Sequence, residues 1–198
     1  MVAKKHYSVP DTYRITEQAV RTVLRMRRTG TRCDQVSAQR IRLAVTEVNG
    51  CELCSYAHAK YALEAGMDRA EVRSLLGGVT DGVPDEQLPA IAFGQHYADT
   101  RGHPDPLAWQ AIVEQYGQQQ ALCVLVATRT MMWGNAMGIP LSALRARFQR
   151  RADPNSTLAW EAGTALGQLL VVPVAALDGL VRELRGAPLE PGLDATAQ

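Results

Sequence analysis

Two thiols and an imidazole lie within eight residues of each other, in the run Cys51-Glu52-Leu53-Cys54-Ser55-Tyr56-Ala57-His58. On a helix, positions i, i+3 and i+7 fall along one stripe. Cys51, Cys54 and His58 would then face the same way, and that geometry suits dithiol redox chemistry with its own base. Asn49-Gly50 directly precedes the pair and is a turn signal able to close a helix. A new helix beginning near Cys51 places both thiols in or near its first turn. Unpaired N–H groups and the positive end of the helix dipole favour an anion there. A thiolate is such an anion, so the position lowers the thiol pKa and raises reactivity. His58 can accept a thiol proton or, once charged, stabilise the thiolate.

The same residues admit two other readings. Free cysteines are often small buried hydrophobes. Cys51, Cys54 and His58 could also supply three zinc ligands, although no second Cys or His pair stands nearby to close the site. Elsewhere, Cys33 and Cys123 have no partner in sequence and read as structural. His96 and His103 could line a substrate pocket, with His103 in an exposed Gly/Pro loop. Met131, Met132, Met137 and Trp133 read as core or interface, and Asn135 as a cap or a polar pocket residue. Glu52 reads as surface, Tyr56 and Tyr61 as packing residues. The cluster Arg145, Arg147, Arg150 and Arg151 reads as a solvated face.

The elements that must position this chemistry are helical throughout. Apolar periodicity predicts helices over 16–28, 37–48 and 51–65. Asp68 is the expected cap of the next, with Glu71 as its capping-box partner, and that helix runs to Leu76. A further helix spans 85–100. Asp105-Pro106 opens another, with Asp as cap and Pro in the first turn. A long apolar helix covers 118–137, ended by Gly138-Ile139-Pro140, and a short basic one covers 141–150. A last helical region spans about 157–184, and Pro173 is expected to kink or divide it. No run alternates in the manner of a strand, and no repeat is evident. The expected architecture is a single all-α domain over 1–186, with its core at about 16–150, a C-terminal helical extension at 155–185 and a loose tail at 187–198.

With 198 residues the chain can bury one substantial core. A net charge of +1 gives no electrostatic case for nucleic acid or an anionic membrane. The N-terminus carries no apolar stretch behind its charges, so no secretory signal is read there. The longest apolar run, around Ala162 to Leu177, is interrupted by Gly163, Gly167, Gln168 and Pro173 and is read as too short to span a membrane. A cytoplasmic location is therefore the expectation, and in that compartment a CxxC pair is redox-active or metal-binding more often than structural. The apolar final helices suggest a subunit interface.

The stretch from Arg40 to His58, a helix, a turn and then CxxCxxxH opening the next helix, resembles the AhpD-like branch of the carboxymuconolactone decarboxylase superfamily. Ala65-Gly66-Met67 before an acidic helix is similar to that family, as is the run Trp133-Gly134-Asn135-Ala136-Met137-Gly138-Ile139-Pro140. The close resemblance covers about residues 37–80 and a looser one extends to about 150, leaving the final helices as an addition. The resemblance implies an AhpD-like helical bundle, assembled as a homo-oligomer (trimer or hexamer), that reduces hydroperoxides without a cofactor or metal and is restored by an external dithiol. It assigns attack on peroxide to Cys54, resolution of the sulfenic acid to Cys51, and proton relay to His58 with a carboxylate's help. Gln39 stands where characterised members carry a glutamate, twelve residues before the first cysteine, and Leu53 stands where they can carry a histidine. Glu47 is the carboxylate at hand to substitute in the relay. Lactone or acid processing, as in the decarboxylase members, and a redox-sensing but non-catalytic helical oligomer are the alternatives.

Overall fold

Ser8 opens the first helix through a reciprocal cap. Its hydroxyl accepts the Asp11 N–H at 3.2 Å, and the Asp11 carboxylate accepts the Ser8 N–H at 3.0 Å. In the computed structural model, which describes residues 4–189, this cap starts α1 (Val9–Thr29) seven residues before the position read from periodicity. The remaining helices are α2 (Gln35–Asn49), α3 (Glu52–Glu64), α4 (Arg69–Leu76), α5 (Leu88–Asp99), α6 (Pro106–Phe148) and α7 (Leu158–Leu184). A single 3₁₀ turn, Asp85–Gln87, leads into α5. Among the described residues there is no strand, so the fold is all-α as expected.

Helix α2 is the central element, packed on α3, α4, α5 and α6. Its Leu43, Ala44 and Val45 are wholly buried. Such burial is worth roughly 1.5–3 kcal/mol for each large aliphatic side chain. Asp68 caps α4 as expected. Glu71, however, reaches across to form an ion pair with Arg40 of α2 instead of closing a capping box.

Helix α6 breaks at Gly117, where φ is 72°, and then continues without interruption past Gly138-Ile139-Pro140. The expected stop at Pro140 is therefore absent. A proline in a helix strands the carbonyl four residues back, here that of Ala136. Gln168 of α7 donates its side-chain N–H to that carbonyl at 2.8 Å, satisfying the group that Pro140 frees. Helix α7 likewise runs unbroken through Pro173. Pro173 and Leu169 are both exposed, leaving water to take the freed carbonyl.

Helix α7 has an inverted distribution of side chains. Glu161, Thr164, Gln168 and Glu183 are buried against the domain, while Leu166, Leu169, Leu170, Val174 and Leu177 are 60–76% exposed. The inward contacts are polar. Glu183 receives Arg25 at 2.5 and 3.0 Å and pairs with Arg28, and Tyr13 donates to Asp178 at 2.8 Å. By length and composition α7 is long and apolar enough to cross a membrane, unlike the shorter run read from the sequence. Its docked partner α1 carries Arg14, Arg25, Arg27 and Arg28.

Cys33, just before α2, forms a disulfide with Cys123 of α6, 90 residues away in sequence. A cytoplasmic location does not lead one to expect this cross-link, because reducing thiol pools normally keep such pairs open. Of the segment read as a loose tail, Ala187 to Leu189 is held in place. Arg21 and Arg25 donate to the Ala187 carbonyl at 3.0 Å, and Arg129 donates to that of Leu189 at 3.2 Å. Residues 190–198 lie outside the described residues.

Candidate active site

The turn that presents the cysteines is built by Asn49 and Gly50. Gly50 adopts the left-handed conformation (φ 69°) that ends α2, its N–H returning to the Thr46 and Glu47 carbonyls. The N-terminal segment clamps this turn. Lys5 donates its backbone N–H to the Asn49 carbonyl at 3.0 Å, and the Tyr7 hydroxyl donates to the Asn49 side chain at 2.7 Å. Asn49 is fully buried, so its conformation leaves little freedom in where Cys51 begins.

Cys51 is the N-cap of α3, and Cys54 occupies its third helical position. Both sulfurs therefore sit at the helix N-terminus, as the turn implied, although Cys51 lies just outside the helix proper. They are bonded to each other, with Cα atoms 5.3 Å apart. Cys51 is completely buried and Cys54 is 7% exposed. Helix α6 forms the roof. A Cβ added to Gly138 would lie 3.1 Å from both sulfurs, so only a residue without a side chain lets the two helices approach this closely. The Gly134 carbonyl lies 3.7 Å from the Cys54 sulfur.

His58 lies one turn beyond Cys54. Its Nδ1 is 2.9 Å from the Oε1 of Gln39, which is buried on α2. An amide oxygen can only accept, so this contact places the ring proton on Nδ1 and leaves Nε2 with its lone pair free. Burial, followed by the nearby Arg42 charge, lowers the His58 pKa to about 4. The imidazole is consequently neutral at pH 7 and competent as a base, though a weak one.

Glu47 is the sequence-derived candidate that the structure does not bring to His58. Its carboxylate lies against Gly78, beyond the end of α4, and forms no hydrogen bond or ion pair among the described residues. Burial raises its pKa. Gln39 takes the position beside His58, because α2 places residue 39 two turns before residue 47 and opposite the middle of α3.

A cavity of about 630 Å³ opens beside this constellation, bounded by α1, α2, α3, α6 and α7. His58 and Gly134 are in its wall, together with Trp133, Arg42, Arg27 and Val172. Trp133 is thus a partly exposed cavity residue. His96 and His103 lie elsewhere: His96 accepts the Asp105 N–H at 3.0 Å, and His103 is exposed. Tyr56 and Tyr61 are 76% and 50% exposed, not packed inside, although the Tyr61 ring meets His58 edge-on. Glu52 is exposed and pairs with Lys4 at 3.3 Å. Among the described residues no cluster of three or more His, Cys, Asp or Glu side chains is arranged to hold a metal ion.

No family model, curated protein or solved structure matches the chain. Its chemistry therefore rests on the site itself. The pairing of Cys33 with Cys123 and the roles of Gln39, Arg42 and Gly138 escape sequence reasoning. Gln39 had a signal, its place twelve residues before the first cysteine of the CxxC pair. Arg42 had none beyond sharing a helix with Gln39, three residues on.

Proposed function

We propose that the chain is a cofactor-free thiol peroxidase of the AhpD-like kind. The observation that carries this reading is the Cys51–Cys54 disulfide at the N-terminus of α3, beside a cavity whose wall includes His58. In the reduced protein the Cys54 thiolate attacks the terminal oxygen of a hydroperoxide. The O–O bond breaks, the alkoxide leaves as the alcohol after taking a proton, and Cys54 becomes a sulfenic acid. The Cys51 sulfur then attacks the Cys54 sulfur, an S–S bond forms and water departs. Two thiols have been oxidised and one peroxide reduced. An external dithiol restores the pair by exchange.

The division of labour follows burial. Cys54 is the less buried of the two residues, and its sulfur lies against the carbonyl of Gly134, a residue of the cavity wall, whereas Cys51 is enclosed. The helix N-terminus stabilises the thiolates. Neutral His58, its Nδ1 proton held by Gln39, takes the Cys54 proton at Nε2 and returns it to the leaving oxygen. The outward leucines of α7 support assembly of the chain with copies of itself, since so large an apolar stripe is rarely left in water.

The test is chemical trapping. Reduced Cys51→Ser protein, given one equivalent of cumene hydroperoxide and then dimedone, should carry one adduct, on Cys54, by peptide mass spectrometry. An adduct on Cys33 or Cys123 instead, or none, would overturn the assignment.

A further inference from the structure

The cavity beside His58 contains a charge that nothing in the described protein answers. Arg42 projects from α2 and is more than half buried, so that desolvation lowers its pKa. It makes no ion pair or hydrogen bond among the described residues, unlike Arg40, two residues earlier on the same helix, which is paired with Glu71. Arg27, in the same wall and also without a partner among the described residues, stands where α1 reaches the surface. The rest of the lining is largely apolar: Ala19, Val20, Val23 and Leu24 from α1, with Val172 and Ala176 from α7. His58 is neutral, so the positive charge of the cavity resides on the two guanidiniums.

A half-buried guanidinium in apolar surroundings is unfavourable unless an anion joins it. Its planar fork fits a carboxylate through two parallel hydrogen bonds. The α1 wall from Thr16 to Arg27 covers roughly 16 Å at ~1.5 Å per residue, room for an extended apolar chain. The cavity volume is also within the range that encloses a small organic ligand.

We infer that this cavity selects an amphipathic organic hydroperoxide bearing one carboxylate, of the acyl-chain type, with the carboxylate on Arg42 and the apolar chain along α1 and α7. The inference rests on the peroxidase reading and narrows its substrate. Hydrogen peroxide offers neither the anion nor the apolar body. Because Arg42 lies near the His58 ring, a carboxylate held there brings to the His58 and Gly134 side a hydroperoxyl group carried near the carboxylate end of the chain; Cys54 attacks its terminal oxygen, and the hydroxy acid leaves. Arg27, at the mouth, assists capture.

Two measurements separate this inference from the reading beneath it. Decanoate, which has no peroxide, is titrated by calorimetry into the wild-type disulfide form alongside methyl decanoate. Loss of a charge-assisted pair predicts that decanoate binds ~10–100-fold tighter than the ester. The preference should shrink to within about threefold in Arg42→Gln, with Arg42→Lys recovering part of it. In parallel, dithiol-dependent turnover by the wild type is compared for a hydroperoxy fatty acid, its methyl ester and hydrogen peroxide. The acid should be preferred by a similar factor in kcat/KM. Equal binding of acid and ester, or equal turnover of all three peroxides, overturns the inference and leaves the peroxidase intact. Selective decanoate binding without turnover of any peroxide upholds the ligand class for the cavity and removes the peroxidase.

Discussion

Replacing Gln39 with Glu would put a carboxylate in direct contact with His58. Gln39 is 6% exposed and 2.9 Å from Nδ1, so the variant carboxylate takes over the same contact without rearrangement of α2. An adjacent opposite charge shifts a pKa by roughly 1–3 units toward the charged form. From about 4 in the parent, the His58 pKa is therefore expected to rise to roughly 5–7. Arg42 lies near the ring, and its opposing charge is already part of the starting value. General-base catalysis grows with a fractional power of basicity, and an exponent of ~0.5 gives a ~3–30-fold increase in peroxide kcat/KM at pH 8, where the ring is still largely neutral. The assay is the pH titration of the His58 ring proton by NMR, alongside stopped-flow oxidation of the reduced protein. An unchanged His58 titration would refute the Gln39 contact. A raised pKa with a slower reaction would refute the base role.

Four further outcomes follow from the same geometry. Replacing Cys33 and Cys123 with Ser removes a cross-link spanning 90 residues, and loop-closure entropy gives a loss of ~4.6 kcal/mol in urea unfolding, with turnover per folded molecule retained. A loss under ~1 kcal/mol would show that the cross-link does little to constrain the unfolded chain. Gly138→Ala drives a methyl group to 3.1 Å from both active-site sulfurs; overpacking of this kind costs ~1–3 kcal/mol and should raise the fraction of sulfenic acid trapped by dimedone, because closure to Cys51 slows. His58 also makes stability depend on pH. The unfolded imidazole takes a proton below its ordinary 6.5, whereas the folded one waits until about 4, so the unfolded state binds more protons in between. Wild-type stability, measured against His58→Gln by denaturant titration, should therefore fall as pH drops through that window and level off below it. Glutamates at Leu170 and Leu177, 76% and 63% exposed on α7, should convert an assembled chain to monomer by sedimentation without loss of helix content; an unchanged mass places any interface elsewhere.

The helices near the site were the most legible part of the molecule. Asn49-Gly50 marks the end of α2 because a left-handed residue is needed there, and Gly50 supplies it. The all-α class follows from the absence of alternating segments, and the CxxC pair announces its own location. What local sequence could not carry were the consequences of distant contacts. Pro140 reads as a helix end until Gln168, 28 residues on, is seen to satisfy the Ala136 carbonyl. Cys33 and Cys123 read as unpaired because only the packing of α2 on α6 brings them together. Glu47 looked like the relay because it is close to Cys51 in sequence. The turn of α2 instead aims Gln39 at His58 and leaves Glu47 beside Gly78. Helix α7 deceived in the other direction. Gly163, Gly167, Gln168 and Pro173 read as interruptions of an apolar run, but the helix passes through all four, and its docked face is polar, tied to α1 by Glu183 and Asp178 and to α6 by Gln168.

The central claim is that Cys54 turns over hydroperoxide with electrons from a dithiol. Its most direct test is steady-state consumption of hydrogen peroxide and an organic hydroperoxide in the presence of excess dithiol, comparing the wild type with Cys54→Ser. The account predicts sustained, dithiol-dependent turnover in the wild type and none above background in the variant. Equal rates in the two proteins, or no turnover in either, would contradict it.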